Sequence, residues 1–301
     1  MALPQATQRY AVVSGGNKGI GLETVKQLAS GGVKVVLTAR DEKKGLEALE
    51  ALRECGVSSD LLLFHQLDVA DAASVASLAH FIKSHFGKLD ILVNNAGIPG
   101  VKYGDTSLVA LAINNGEDLS EDERKRVMSQ PYELGEECLE INYFGAKRTT
   151  EALLPLLQLS DSPTIVNVAS FLGKLKNLSN EWAIGVLSDA DKLTEEKVNG
   201  VVKEFLKDLK EGSHERKGWP NILAAYKVSK ASMIAYTRIL ANKYPNMCIN
   251  SLCPGFVKTD INANTGFFSV EQGASHVVRL ALLPHGSPSG LFYSRTQVSP
   301  F

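Results

Sequence analysis

Short β-branched apolar runs alternate with longer amphipathic stretches from Tyr10 to about Leu157. This alternation is typical of a parallel sheet that is wrapped by helices on both faces. We predict strands at Tyr10–Ser14, Lys34–Ala39, Leu61–Asp68, Asp90–Asn94, Thr164–Ser170, Met247–Cys253 and Gly290–Tyr293. We predict helices near Ile20–Ser30, Ala73–Phe86, Leu134–Leu157, Ala225–Tyr244 and Val270–Leu283. The pattern therefore indicates an α/β fold with a doubly wound parallel sheet.

Two stretches depart from this alternation. The first, from Gly100 to about Glu133, is rich in acidic residues and weakly periodic, which predicts an excursion beyond the fourth strand. The second covers residues 171–221 and contains an amphipathic helix pattern at Val198, Val201, Val202, Phe205, Leu206 and Leu209. Thr194 is its candidate N-cap, and Gly212 its end. Because no repeat or low-complexity linker divides the chain, we expect residues 1–301 to form a single domain, with 171–221 as a helical insertion.

Composition and charge exclude several classes of protein. The chain is 44% hydrophobic and 22% charged, as in ordinary globular proteins. Its formal charge is −1, so no global field would attract a nucleic acid or an anionic membrane, and neither partner is expected. No segment approaches the ~18 uninterrupted apolar residues of a membrane span, and Met1–Tyr10 lacks a secretory pattern. We expect a cytoplasmic protein.

Cysteine and histidine usage gives no indication of a metal or disulfide framework. The cysteines are widely spaced and form no CxxC pair; they are Cys55, Cys138, Cys248 and Cys253. The six histidines show no ligand spacing. We therefore expect no bound metal and a reducing compartment.

A glycine-rich loop follows the first strand and opens the first predicted helix. Its candidate phosphate-binding residues are Gly15, Asn17, Lys18, Gly19, Ile20 and Gly21. Glycines permit a tight turn, and the N–H groups of a helix N-terminus bind a pyrophosphate. An ordinary turn between a strand and a helix also accommodates glycines, but this one lies where doubly wound sheets bind dinucleotides.

The end of the second strand bears on which dinucleotide is bound. An acidic residue there favours NAD, whereas this chain has Arg40, with Lys18 in the glycine loop and Lys44 one helical turn further on. These cations favour the 2′-phosphate of NADP(H). The alternative is that Arg40 and Lys44 are solvated surface residues with nearby acidic partners, Asp41 and Glu42.

A series of motifs in the expected order resembles the short-chain dehydrogenase/reductase family, and specifically its plant group with a long insertion. These motifs are Gly15-x-x-x-Gly19-x-Gly21, Asp68-Val69, Asn94-Asn95-Ala96-Gly97, Asn142, Ser170, Tyr226-x-x-x-Lys230 and Pro254-Gly255 leading to Thr259. The resemblance implies a Rossmann fold and oxidoreductase activity between an alcohol and a carbonyl. Two departures are small: Ser14 stands where Thr is usual, and Ala169 where a first Ser is usual.

The resemblance implies four catalytic residues: Asn142, Ser170, Tyr226 and Lys230. Tyr226 and Lys230 are four positions apart, so one helix face carries both. A neighbouring ammonium and an oxidised nicotinamide both favour the phenolate of Tyr226 and fit it for proton transfer. Ser170 can donate a hydrogen bond to a carbonyl oxygen as negative charge develops there. Asn142 is implied to hold a water that links Lys230 to solvent.

Further cofactor contacts are implied by the same resemblance. Asp68 and Val69 are expected at the adenine, and Asn95, Ala96 and Gly97 beside its ribose. Pro254 and Gly255 lead to Val257 and Thr259, which are expected at the nicotinamide carboxamide. Individually these are weak indications, because Asp68 is also a plausible strand end and Pro254-Gly255 a plausible turn.

The resemblance also bears on assembly and substrate. In many family members the helices that carry Asn142 and Tyr226 form a dimer face, and the insertion is expected to cover that face and leave a monomer. The expected pocket walls are Val101–Leu111, Phe171 with Leu172, and Phe256–Phe268, which are mostly apolar. We therefore expect reversible, NADPH-dependent reduction of a hydrophobic ketone, such as a terpenoid or alkaloid, to a secondary alcohol.

Two other functions remain open from the sequence. One is reduction of a carbon–carbon double bond in an enone, although relatives of that kind replace the tyrosine, so Tyr226 counts against it. The other is a non-catalytic, dinucleotide-binding regulatory protein. Such proteins typically lose catalytic residues, and here none is lost.

Overall fold

A central eight-stranded sheet organises the part of the chain that the computed structural model describes, residues 8–109, 120–190 and 192–301. In chain order the strands are β1 (Tyr10–Val13), β2 (Lys34–Ala39), β3 (Leu62–Gln66), β4 (Ile91–Asn94), β5 (Lys102–Tyr103), β6 (Met128–Ser129), β7 (Thr164–Val168), β8 (Cys248–Cys253), β9 (Phe292–Ser294) and β10 (Gln297–Ser299). The order in the sheet is β10-β9-β8-β7-β4-β1-β2-β3, while β5 and β6 form a separate ribbon.

The predicted parallel sheet is confirmed, with small differences at its ends. Every pair in it is parallel except β9 with β10. The pattern did not indicate β10, because its three residues carry no apolar run and are largely exposed. Sequence expectations for residues 1–7 and for 110–119, including Ala110 and Leu111 of the expected pocket wall, lie outside the described residues.

Helices lie between the strands. They are α1 (Gly19–Ser30), α2 (Glu42–Glu54), α3 (Ala72–Phe86), α4 (Glu121–Val127), α5 (Tyr132–Leu139), α6 (Ala146–Leu157), α7 (Glu181–Ser188), α8 (Glu195–Lys210), α9 (Ala224–Lys243) and α10 (Val270–Ala281). The sequence analysis missed α2, whose core-facing side is narrow: Gly45, Ala48, Leu49 and Leu52 are buried among charged residues. None of the described helices is both long and apolar enough to cross a membrane.

The helix predicted at Leu134–Leu157 contains a π-helical turn. Helix α5 passes into π geometry over Glu140–Gly145 and then continues as α6. A π turn holds one more residue than an α turn, and such turns are frequent at functional sites. Gly145 suits this position, because a Cβ there would lie 2.6 Å from a methyl carbon of Val69.

Buried apolar residues lie on both faces of the sheet, as expected for helices packed on each side. One cluster joins Val12 and Leu92 to α3, α6, α8 and α9. The other joins Val13 and Val93 to α1, α2 and α10. The alternation of neighbouring β1 residues between these clusters follows from the two-residue period of a strand.

The helix predicted inside 171–221 is present as α8. Thr194 caps it by accepting a hydrogen bond from the Lys197 backbone N–H at 3.3 Å, and Gly212 follows its end with a φ of 62°. Its apolar side is buried against α5 and α9. Glu195 at its first turn forms an ion pair with Lys147 on α6.

Candidate active site

The glycine loop forms a tight turn between β1 and α1. Gly15 and Gly19 have φ angles of 64° and 56°, a region that favours glycine. A Cβ on Gly21 would lie 2.2 Å from the Gly15 carbonyl oxygen, so a side chain there would clash with the backbone of the turn. The Asn95 side chain secures the turn by donating to the carbonyl oxygens of Ser14 and Gly15, at 2.9 and 3.1 Å.

The N-terminus of α1 suits a phosphate group. Its N-cap residue is Lys18, which makes no capping hydrogen bond through its side chain, and the first turn carries no acidic residue. The N–H groups of this first turn, with the positive end of the helix dipole, are therefore available to an anion. Asn17, Gly19 and Ile20 belong to the same turn. The glycine loop and the first turn of α1, residues Gly15–Gly21, are called the cradle below. This cradle fits the pyrophosphate of a dinucleotide.

Three basic residues are expected at the 2′-phosphate of NADP(H), namely Lys18, Arg40 and Lys44. Each of them has an acidic partner in the structure. Lys18 Nζ lies 2.6 Å from Asp260 Oδ2. Arg40 directly follows β2 and approaches Glu137 at 3.8 Å, with 67% of its side chain exposed. Lys44 lies 3.9 Å from Asp41, whose other carboxylate oxygen caps α2. The suggested surface pairing with neighbouring acids is thus present for Lys44, while Arg40 has a more distant partner.

The residues expected at the adenine end follow β3 and β4. Asp68 Oδ1 accepts a hydrogen bond from the Ala70 backbone N–H at 3.0 Å. Val69 is buried against the π-helical turn. The backbone N–H groups of Asn95 and Ala96 donate to Ser14 Oγ at 2.9 and 3.0 Å. Ser14 therefore provides the hydroxyl that joins β1 to the residues after β4, which explains why Ser serves where Thr is usual.

The segment after β8 completes the cofactor side of the cleft. Gly255, which follows Pro254, has a φ of 102° and leads to Val257. Val257 packs so closely on α10 that a Cβ on Gly273 would lie 2.6 Å from it. Thr259 touches the glycine loop, since a Cβ on Gly19 would lie 3.3 Å from its methyl carbon.

Ser170, Tyr226 and Lys230 converge at the carboxyl end of β7. Ser170 is close enough to the Tyr226 hydroxyl to lower its pKa, and its own hydroxyl oxygen caps the short turn Phe171–Gly173. That turn packs directly on α9, because a Cβ on Gly173 would lie 2.7 Å from the Lys230 carbonyl carbon. Lys230 Nζ donates to the Val168 carbonyl at 2.8 Å and lies 5.6 Å from the centroid of the Tyr226 ring.

Asn142 lies within the π-helical turn and joins the same site. Its Oδ1 accepts from the Ile98 backbone N–H at 2.8 Å, and its Nδ2 donates to the Ile98 carbonyl at 3.0 Å and to Ser229 Oγ at 3.1 Å. A Cβ on Gly97 would lie 3.1 Å from Asn142 Oδ1 and 3.5 Å from Lys230 Nζ. The structure thus brings together all four residues that the resemblance implied.

Burial sets the protonation of the two central groups. Desolvation raises the pKa of Tyr226, and the neighbouring Ser170 hydroxyl opposes this effect without cancelling it. Desolvation also lowers the pKa of Lys230 to about 8. The expected lowering of the Tyr226 pKa is therefore not observed in the protein alone, where burial dominates. At neutral pH Tyr226 is a phenol, the form that can donate a proton.

An apolar surface borders Tyr226. Val101, Val109, Val127, Met128, Ile222 and Leu223 are buried there, and Tyr103, Leu108, Leu172, Tyr226 and Ala263 pack against them. All three expected walls thus contribute: Val101–Leu111, Leu172 of the second wall, and Ala263 of the wall Phe256–Phe268. Phe171 does not belong to this cluster: its side chain is exposed, and Lys176 Nζ lies 4.8 Å from its ring centroid.

Sequence reasoning did not single out several residues of the site by their contacts. Tyr103 hydroxyl donates to the Ile261 carbonyl at 2.6 Å, and Asp260 pairs with Lys18. Ser229 donates to the Tyr226 carbonyl at 2.8 Å. Tyr103 lies in the expected wall Val101–Leu111 and Asp260 in the expected wall Phe256–Phe268, and Ser229 had a signal in its place beside Lys230 in the Tyr-x-x-x-Lys motif. Across the described ranges, no group of three His, Cys, Asp or Glu side chains could hold a metal ion.

Comparison with known proteins agrees with this geometry. Residues 9–181 match the family model described as short chain dehydrogenase. The chain is 58% identical to a (+)-neomenthol dehydrogenase of Capsicum annuum, over 100% of both chains. It is 53% identical to the solved salutaridine reductase of Papaver somniferum, with a TM-score of 0.88 over 95% of this chain and 99% of that one. It is 48% identical to a solved menthone neomenthol reductase of Mentha piperita, with a TM-score of 0.87 over 97% and 100%.

These similarities cover nearly the whole chain, so they extend to both cofactor and substrate sides of the cleft. The family uses nicotinamide dinucleotides, and the cradle at α1 fits one. The resemblance seen in the motifs is thereby confirmed, and with it an activity on CH–OH and C=O groups. This chain belongs to the short-chain dehydrogenase/reductase family of oxidoreductases.

Proposed function

We propose that the protein reduces an apolar cyclic ketone to a secondary alcohol with NADPH, and catalyses the reverse reaction with NADP⁺. The observation that carries this proposal is the convergence of Ser170, Tyr226 and Lys230 at the carboxyl end of β7, where Lys230 Nζ lies 5.6 Å from the centroid of the Tyr226 ring. Tyr226 packs against the apolar surface that includes Tyr103 and Leu172, and the Ser170 hydroxyl accepts a hydrogen bond from the Leu172 backbone N–H at 3.2 Å. A carbonyl oxygen at this point would meet two hydrogen-bond donors while the rest of the substrate meets apolar side chains.

The chain's own residues supply the proton and hold the carbonyl, while the bound nicotinamide supplies the hydride. Tyr226 donates its hydroxyl proton to the carbonyl oxygen as negative charge develops on that oxygen. Ser170 donates a hydrogen bond to the same oxygen and stabilises that charge. Lys230 stabilises the resulting Tyr226 phenolate, and a proton returns to Tyr226 through Lys230 and a water held beside Asn142. Oxidation of the alcohol follows the same steps in reverse.

The basic residues support NADP(H) rather than NAD(H). No acidic residue stands directly after β2, where it would bind both ribose hydroxyls; Arg40 does. Its guanidinium is largely exposed, and its approach to Glu137 is long, so it is free to turn to a 2′-phosphate. Lys18 and Lys44 are equally exposed and add positive charge at the same end of the cleft.

The substrate class follows from the apolar surface and from the relatives. Neomenthol, menthone and salutaridine, named in the relatives' descriptions, support a terpenoid or alkaloid substrate for this chain. The walls described around Tyr226 carry mostly aliphatic side chains, which suit a monoterpenoid ketone better than a charged sugar or acid.

We also propose that the protein is a monomer. Helix α8 packs along α5 and α9, the helices beside Asn142 and carrying Tyr226. Polar contacts fasten it in place: Tyr143 hydroxyl donates to Asn199 Oδ1 at 2.8 Å, and Glu195 pairs with Lys147. A face covered in this way is closed to a second copy of the chain.

The decisive experiment measures consumption of NADPH with menthone and with an enone as probes, and identifies the products. We expect the wild-type protein to form an alcohol from menthone. We expect Tyr226→Phe to lose nearly all of this activity while the Kd for NADPH, measured by fluorescence, stays within about two-fold, because only the proton donor is removed.

Tyr132→Phe is the matched control. Its hydroxyl donates to Glu136 at 2.6 Å on the exterior of α5, so its removal should leave turnover unchanged. Retention of most activity in Tyr226→Phe would refute the assigned proton donor. Saturation of the carbon–carbon double bond of the enone would indicate a double-bond reductase, and NADPH binding without turnover would indicate a regulatory binding protein.

A further inference from the structure

Two separate segments border the apolar surface beside Tyr226, and one side chain joins them. The first segment is the ribbon of β5 and β6, which carries Tyr103. The second is the short turn Asp260–Asn262 after Thr259. The Tyr103 hydroxyl donates a hydrogen bond to the Ile261 carbonyl oxygen at 2.6 Å, across 158 positions of sequence. This distance lies in the shorter half of the normal range for an O–H···O bond.

The turn that receives this bond is already rigid on its cofactor side. Asn262 Nδ2 donates to the Val257 carbonyl at 2.8 Å, and Asp260 pairs with Lys18 of the glycine loop. Ala263 and Asn264 both have positive φ angles, 52° and 59°, which reverse the chain. These contacts fix the orientation of the Ile261 carbonyl. The hydrogen bond from Tyr103 therefore attaches the β5–β6 ribbon to a rigid turn.

The surroundings of Tyr103 make its hydroxyl a constant donor. The ring packs against the apolar cluster that includes Leu108 and Tyr226. Burial raises the pKa of Tyr103 to about 12, so the phenol keeps its proton throughout the working range of an enzyme. A phenylalanine in its place would preserve the apolar packing and leave the Ile261 carbonyl without this partner.

We propose that Tyr103 is a positioning residue that fixes the width of the substrate cleft by tying the β5–β6 ribbon to the Asp260–Asn262 turn. This role rests on the proposed ketone reductase function. Because the bond from Tyr103 to Ile261 joins two walls on the substrate side, we expect it to act chiefly on binding of the ketone. We expect smaller effects on the cofactor, which the turn reaches only through Asp260 and Lys18, and on proton transfer from Tyr226, because Tyr103→Phe keeps the ring that packs in the same cluster.

The test is Tyr103→Phe, with menthone as the probe. We expect KM to rise about five-fold, equivalent to about 1 kcal/mol for one hydrogen bond. We expect kcat and the Kd for NADPH to change by less than about two-fold. We also expect faster deuterium exchange in peptides covering 101–109 and 256–268, and unchanged exchange in β1 and β4. Tyr132→Phe, which removes a hydroxyl with a bond of equal length, should move none of these quantities.

Each outcome decides the role of Tyr103. A raised KM with faster exchange in both segments supports the tie. An unchanged KM overturns it, and so does a raised KM with unchanged exchange, because Tyr103 would then act by touching the ketone. If the wild-type protein reduced no ketone, the proposed function would fail. The exchange data would still decide whether Tyr103 ties the two segments.

Discussion

The buried lysine of the site makes the stability of the whole protein depend on pH. Lys230 is only 3% exposed, and burial lowers its pKa to about 8, against 10.5 for a free lysine. Below pH 8 both folded and unfolded chains carry the proton, and the buried ammonium destabilises the fold by about 3 kcal/mol. Between pH 8 and pH 10.5 the unfolded chain binds more protons, so stability rises with pH. From pH 7 to pH 9 this group alone adds about 1 kcal/mol.

The perturbation that isolates this effect is Lys230→Met, which keeps the length of the side chain and removes its charge. Several cysteines and tyrosines also titrate at alkaline pH, so the measured quantity is the difference in unfolding free energy between wild type and variant. Because Lys230→Met removes a destabilising buried charge, we expect its free energy of unfolding to exceed that of wild type at pH 7. We expect this difference to shrink by about 1 kcal/mol between pH 7 and pH 9. The bond from Lys230 to the Val168 carbonyl is stronger for the ammonium than for the amine, and this difference is already contained in the folded-state pKa.

Urea denaturation under reducing conditions provides the assay, followed by the fluorescence of Trp219, which is buried in the fold. Lys83→Met is the control, because Lys83 is exposed on α3 and its removal should shift stability equally at every pH. If the difference between wild type and Lys230→Met were constant from pH 7 to pH 9, the ammonium would not be desolvated as the structure indicates. The account of protonation in the site would then be wrong.

Three further predictions concern the cofactor, α8 and assembly. Arg40→Asp should weaken NADPH by ten-fold or more and leave NADH within about two-fold, because one charged hydrogen bond to the 2′-phosphate is lost; equal losses in titrations with both would contradict the cofactor choice. Thr194→Ala should lower the unfolding free energy by about 1 kcal/mol through loss of the N-cap, and an unchanged urea midpoint would show that the cap is not formed. Light scattering at micromolar concentration should give the mass of one chain, and a stable dimer would refute the proposal of a monomer.

Local patterns in the sequence were enough to predict the sheet and most helices, while the resemblance to the family implied the catalytic residues. The apolar run at β1, the glycines after it and the four-residue spacing of Tyr226 and Lys230 all express short-range rules of backbone and helix geometry. The N-cap at Thr194 was predicted on the same basis and is observed.

The contacts that the sequence did not reveal join residues far apart in the chain. Lys18 was expected near a phosphate and lies beside Asp260, and nothing in the β5 segment indicated a bond from Tyr103 to Ile261. Such pairs depend on how loops meet over the finished sheet, and no local periodicity records them. The rise in the Tyr226 pKa through burial was not predicted, for a related reason. Charge neighbours can be read from spacing, whereas the degree of burial depends on the packing of several segments.

The π-helical turn at Glu140–Gly145 also fixes the rotational phase of everything that follows it. Helix α6 leaves the turn rotated by about 100° relative to an uninterrupted α-helix, since each residue advances the helix by that angle. In this phase Thr150 meets Asn94 Nδ2 at 2.9 Å inside the core, while Asn142 faces the cleft. Removal of a single residue from the turn would rotate Thr150 by about 100° relative to Asn142. Only one of the two contacts, that of Thr150 in the core or that of Asn142 at the site, could then form. The length of this turn is therefore a constraint shared by the interior and the site.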